Sequence, residues 1–170
     1  MERRRIINDN MEIMSFEDML ASLDINDEPY KFPCEEYDII GDTTEIDKIL
    51  NVSGIINIDI TDITTTLSKD KVNYISVGFG EGDSAAYGAI KEAVDNLPLG
   101  IDEIAKLLIH IWMPPGEMGQ LYNEVVYVTD FIKTLPSDLD AFWGIARGEL
   151  PDVSLPKKQK VKVSLIAASK

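Results

Sequence analysis

"GIINIDITDITTTLS", residues 54–68, changes its periodicity in the middle, and that change decides how the rest of the chain is read. Gly54 introduces a β-branched extended segment that ends at Asp59, the kind of composition that suits a pleated, half-buried surface. Ile60, Ile63 and Leu67 then stand at i, i+3 and i+7, which predicts a helix with Asp62 in its first turn. The threonines between them lose side-chain freedom in a helix, so packing has to hold it. The strand end thus carries Asn57 and Asp59, and the helix start carries Asp62. Two readings follow. Aspartates at a helix start complement the helix dipole and cap free amides. Alternatively, the two carboxylates and the Asn57 amide converge at the loop, where they would hold a hydrated cation or orient a water against a phosphoryl group presented by something else.

Downstream the chain alternates between extended and helical patterns. "NYISVGFG" reads as a strand, and Asp83 is expected to cap a helix through Leu97 that buries Tyr87, Ile90, Val94 and Leu97 before Pro98 ends it. "KLLIHIWM" is a second strand. After Pro114, Pro115, Gly116 and Gly119 comes a helix with Leu121, Val125, Val128, Ile132 and Leu135 on one face. "DAFWGIAR" and "KVKVSLIA" are two last strands. In the latter, Val161, Val163 and Leu165 alternate with Lys160, Lys162 and Ser164, and the lysines are expected to guard a solvent-facing or edge strand. The order predicts an α/β fold of two layers, a small mixed four-stranded sheet with two crossover helices on one face.

Upstream the composition shifts near residue 42. Residues 1–42 form an acidic N-terminal segment, partly loop, set apart from a domain over 43–170. Pro29 and Pro33 rule out one long helix through "DINDEPYKFPCEEYD". Ser15 and Asp18 resemble a capping box for a short helix bearing Phe16, Met19, Leu20 and Leu23, and "YDII" suits a brief strand. Thr44 with Asp47 is expected to cap "EIDKIL".

At 170 residues the chain is long enough for one domain to bury about two-thirds of its unfolded surface. Its formal net charge of −14 argues against nucleic acid or an anionic membrane as partner, because both would be repelled. Nowhere is there an apolar run of about eighteen residues, nor an apolar core behind the basic start "MERRR", so a cytoplasmic location is expected. The single cysteine, Cys34, excludes an internal disulfide, and Glu35 and Glu36 beside it should raise its thiol pKa. His110, the only histidine, lies in an apolar strand and cannot by itself build a histidine-based metal site. "VGFGEGDSAAYGAI" occupies the place of a phosphate loop but lacks the spacing, since Asp83 stands where a third glycine would be. A structural use is expected, glycines that let the strand turn tightly into its helix.

The run from Gly54 does not stand alone. "GIINIDITDITTTLS" resembles the synergy loop of the FtsZ/tubulin family, whose pattern G-x-x-N-x-D-x-x-D is met by Gly54, Asn57, Asp59 and Asp62. "ISVGFGEGDSAAYGAIKEAV" is similar to that family's glycine-ended strand and Ala-rich helix, and "LPLGIDEIAKLLIHI", "FWGIA" and "KVKVSLIA" to the strands that follow. The resemblance covers residues 45–170 and is to the C-terminal domain of FtsZ. The G-G-G-T-G-[TS]-G loop of the family's GTP-binding domain does not occur in the sequence.

The resemblance implies a chain that binds no GTP and is no GTPase by itself, and that belongs to a polymerising, cell-division type of system. In family filaments the synergy loop enters the nucleotide pocket of the next subunit. Asn57 would then contact the neighbour's nucleotide, and Asp59 and Asp62 would position water and cation, with GTP and Mg²⁺ supplied only through a partner subunit. The partner would be an FtsZ-like GTPase or the missing nucleotide domain, with self-association also possible. Two further readings stay open beside it: a non-catalytic interaction or scaffold domain that kept the fold, and an independent metal site at Asp59 and Asp62, for which two carboxylates are few.

Overall fold

The computed structural model describes residues 29–52, 54–113, 118–147 and 161–170. In chain order the elements are β1 (Ile39–Ile40), α1 (Thr44–Leu50), β2 (Gly54–Ile56), α2 (Ile60–Thr66), β3 (Asn73–Gly80), α3 (Ala85–Asp95), β4 (Ile104–Met113), α4 (Met118–Lys133), β5 (Asp140–Arg147) and β6 (Val161–Ser169). The fold is α/β with one mixed sheet in the order β1-β3-β6-β4-β5-β2. β6 runs antiparallel to both β3 and β4, β4 and β5 are parallel, and β2 closes the far edge antiparallel to β5. Among the described residues the sheet therefore has six strands rather than four, because short strands β1 and β2 extend the expected set at its two edges.

The two-layer expectation also needs correction. β4 and β6 are buried along almost their whole length, which requires a cover on each face. Leu107, Ile109 and Ile111 of β4 and Val163, Leu165 and Ala167 of β6 pack with α3 and with Val128 of α4. The alternate residues Leu108 and Ile166 face the other way and pack with Ile46 and Ile49 of α1, Ile63 of α2, Leu67 and Phe32. The result is three layers, the two crossover helices on one face and two short helices on the other.

β6, expected at an edge with its lysines in solvent, is the third strand of six and has neighbours on both sides. Lys162 is accordingly only 2% exposed. Lys160 lies outside the described residues, as does the helix expected over Phe16 to Leu23.

Helix α3 differs from its predicted stripe for a steric reason. Its buried face is Ala85, Ala86, Ala89, Ile90 and Ala93, whereas Tyr87 is 56% exposed. A Cβ on Gly78 would collide with the backbone of Ala89 and Ala93, and one on Gly80 with the carbonyl of Ala85. The helix backbone thus lies directly on β3, and only alanine-sized side chains fit between them. These two glycines serve close approach, while Gly82, at φ +82°, makes the turn. Asp83 is not the cap. Ser84 holds the N-cap position without a side-chain hydrogen bond, and the buried carboxylate of Glu124 on α4 accepts from the Ala86 amide at 2.7 Å instead.

Part of the stretch expected as an appendage is stitched to the sheet and to α1. Phe32 is buried, and its amide donates to Asp47 Oδ1 at 2.7 Å. Tyr30 exchanges hydrogen bonds with the Asn51 side chain at 2.9 and 2.8 Å, and β1 pairs parallel with Asn73 and Tyr74. Asp47 is therefore not part of a capping box with Thr44. Asp42 holds the start of α1, accepting from the Thr44 amide at 3.0 Å and its hydroxyl at 2.6 Å. That hydroxyl bond is the first cause holding the Asp42 carboxyl below its usual pKa.

Candidate functional site

The acidic loop is built on an alternation. Ile58 is buried, and its neighbours Asn57 and Asp59 are exposed, as extended backbone requires of successive residues. Ile58 can seat itself there because position 144 on β5 has no side chain. A Cβ on Gly144 would stand 2.6 Å from Ile58 Cγ1 and 2.7 Å from the Ile56 carbonyl. Asn57 closes the turn behind it, its Oδ1 accepting from the Gly54 amide at 2.6 Å.

Asp59, with φ −110° and ψ 178°, is the N-cap of α2. Its Oδ1 accepts from the Asp62 amide at 3.0 Å, and Asp62 Oδ2 accepts from the Asp59 amide at 2.9 Å. This reciprocal pair is a capping box made of two aspartates. It commits one oxygen of each carboxylate and leaves Asp59 Oδ2 and Asp62 Oδ1 without a protein partner among the described residues.

Packing and polar contacts together hold the helix below the box. Ile63 and Thr66 are fully buried, Thr66 Oγ1 donates to the Asp62 carbonyl at 2.8 Å, and Lys106 Nζ donates to the Thr65 carbonyl at 2.8 Å. A cation at a helix C-terminus complements its dipole. Ile60, expected on the buried stripe with Ile63 and Leu67, is 45% exposed.

The three predicted polar residues are brought together only in part. Asn57 and Asp59 line one shallow cleft of about 430 Å³, with Tyr30, Leu50 and Val52 opposite, whereas Asp62 does not line it. The rest of the lining is apolar, with Tyr30 and Ile60 exposed, and Ile55 and Ile56 just before it in the chain are exposed as well. No cluster of three or more histidine, cysteine or acidic side chains is arranged to hold a metal among the described residues. The aspartate pair alone offers too few oxygens for the six to eight ligands that Mg²⁺ or Ca²⁺ takes.

The other candidates are structural. His110 is 3% exposed, and its pKa is pushed down to about 4, first by burial and then by the Lys162 charge, so it is neutral at pH 7. Burial raises the Cys34 thiol, with the Asp47 and Glu35 charges adding to it, so the expected direction is met and burial is its first cause. A larger groove of about 650 Å³ between α3 and α4 is lined by Tyr87, Ile90, Tyr127 and Phe131. It lies on the opposite face of the sheet from the acidic loop.

Sequence reasoning missed a buried ion pair among the described residues. Glu45 is 4% exposed and meets Lys162 Nζ at 2.9 Å, a pair separated by 117 residues that no local pattern announces.

Comparison with known proteins adds a relationship to this geometry. No family model matches the chain. Cell division protein FtsZ of Porphyromonas gingivalis is 28% identical over 127 residues, covering 72% of this chain and 26% of the relative. Among solved structures, an FtsZ variant from M. jannaschii superposes with a TM-score of 0.54 at 20% identity, over 73% of this chain and 36% of that one. The GDP-form protofilaments of Bacillus thuringiensis serovar israelensis TubZ give a TM-score of 0.47 at 10% identity, over 75% of this chain and 36% of that one. The chain is similar in sequence to FtsZ over these residues and has an FtsZ-like fold. The match spans about a quarter of the curated relative's length.

Proposed function

We propose that this chain is an FtsZ-like C-terminal domain that completes GTP hydrolysis in trans, within a polymerising cell-division system. The observation that carries the reading is the presentation of the loop. Asn57 and Asp59 are exposed, each of the two aspartates keeps one oxygen without a protein partner among the described residues, and Tyr30, Leu50, Val52 and Ile60 line the cleft with Asn57 and Asp59. Exposed isoleucines beside uncommitted carboxylates suit insertion into a partner's pocket, where the apolar rim excludes water around the reacting group. Asp59 and Asp62 would orient the attacking water, and Asn57 would contact the nucleotide. Any Mg²⁺ would draw most of its ligands from the partner's phosphates and from water. The natural partner is an FtsZ-like GTPase or a nucleotide domain, and self-association follows the same logic. No helix among the described residues is long and apolar enough to cross a membrane.

The test is phosphate release by an FtsZ-like GTPase with this chain added. Asp59→Asn is the informative variant, because asparagine caps a helix about as well as aspartate but brings no negative charge. Stimulation should fall by about a hundredfold or more with Asp59→Asn or Asp62→Asn, in line with the loss of a positioned catalytic group. Wild-type chain that neither binds nor alters such a GTPase sinks the proposal.

One observation favours a second reading, a scaffold domain without chemistry. Both aspartates already have a structural task in the capping box. Unchanged stimulation with Asp59→Asn would select that alternative.

A further inference from the structure

We propose that Glu45 and Lys162 are positioning residues that fix the Asn57–Asp62 loop by fastening α1 to the middle of the sheet. The proposal deepens the functional reading above and rests on it for any effect on hydrolysis. Both side chains are almost wholly shielded from water, 4% and 2% exposed. Glu45 spends both carboxylate oxygens there. Oε1 accepts from Lys48 Nζ at 3.0 Å and Lys162 Nζ at 3.1 Å, while Oε2 meets Lys162 Nζ at 2.9 Å and the Ser164 hydroxyl at 3.0 Å. Lys162 and Ser164 sit on β6, opposite Trp112 and His110 of β4, in a strand held by neighbours on both sides. The carboxylate is thus referenced to an immobile part of the molecule.

Helix α1 needs that reference. Seven residues are too few for a helix to be stable alone, and its N-cap residue Thr43 makes no side-chain capping hydrogen bond. Its remaining buried side chains, Ile46 and Ile49, give affinity for the sheet but little direction, since apolar contact is not directional. A buried carboxylate that must meet a lysine and a hydroxyl together is directional. The far end of the helix, Leu50, and Val52 just beyond it line the same cleft as Asn57 and Asp59. A shift of α1 along the sheet would move that wall against the acidic loop.

The experiment is amide hydrogen exchange on the chain alone, without partner or nucleotide, comparing wild type with Glu45→Gln combined with Lys162→Met. The double variant removes the carboxylate and the ammonium of this pair together, where either single change would leave one member without the other. Positioning predicts exchange at least about tenfold faster across residues 54–62, with β3, β4 and β6 within about twofold of wild type. A smaller rise in the loop, a rise shared by the sheet, or failure of the double variant to fold would each overturn it. A wild-type chain that stimulates no GTPase would count against the functional reading and leave this exchange result standing.

Discussion

The two faces of the sheet solve burial differently, one by close backbone packing and the other with short helices and a buried ion pair. On the α3/α4 face, alanines lie on glycines and on a regular row of valine, leucine and isoleucine, so helix and strand backbones nearly touch. On the other face two seven-residue helices cover a narrower apolar patch, a glutamate and a lysine are buried as a pair, and Ile55, Ile56 and Ile60 are left exposed. The first face is specified by shape. The second is specified by polar contacts and left incomplete at its rim, where a partner would find it.

The largest expected effect breaks the first face. Gly80→Val places a branched side chain against the Ala85 backbone, and no flexible neighbour can yield. The chain should fail to fold cooperatively, or lose more than about 4 kcal/mol in urea titration. Gly82→Ala, by contrast, meets nothing within 4 Å and suffers only from its φ of +82°. It should cost about 1 kcal/mol.

A smaller effect separates buried from displayed isoleucine on the second face. Ile63→Ala, at a fully buried position, should lower stability by about 2–4 kcal/mol in the same titration. Ile60→Ala, where the side chain is 45% exposed, should stay within about 0.5 kcal/mol. Equal losses would mean that α2 buries a different stripe.

The polar interior of the second face should also show in pH dependence. His110 has a folded pKa of about 4 against an ordinary value of 6.5, so between those values the unfolded chain binds the proton and the folded chain does not. Its contribution is fully present above pH 6.5 and is lost as pH falls toward 4. The interval between those two values corresponds to roughly 3 kcal/mol. His110→Leu should therefore remove up to that much of the stability loss between pH 7 and pH 4, read as the difference between the two titration series. Carboxylates shared by both proteins cancel in that difference.

The contrast between faces also explains what was legible in the sequence. Local periodicity reported β3, β4, β5, β6 and the two crossover helices, because each carries its own apolar pattern. It misread the facing of Lys162, since alternation along one strand is the same whether the alternate face meets water or a helix bearing Glu45. It likewise took Tyr87 as buried, because α3 turns its alanines inward only on account of the glycines on β3. Of the candidate site, Asp59 and Asp62 could be placed at a helix start from their spacing alone. The tertiary support could not, since Ile58 depends on the empty position at Gly144 and the cleft wall on Leu50 and Tyr30.

The smallest expected effect bears on the acidic loop itself. Asp59→Ala removes the acceptor for the Asp62 amide, and such a cap is worth about 1 kcal/mol. Asp59→Asn keeps an acceptor at the same place and should be neutral within about 0.3 kcal/mol. The pair of variants separates two tasks that the geometry gives to one side chain, since Oδ1 serves the helix and Oδ2 has no partner among the described residues. A stability loss with alanine and none with asparagine assigns the fold to Oδ1. Any loss of stimulated hydrolysis in the asparagine variant then belongs to the charge, and a helix cap cannot account for it. Equal destabilisation by both would show that the charge itself holds α2, and the loop would then be better read as structure than as half of a catalytic site.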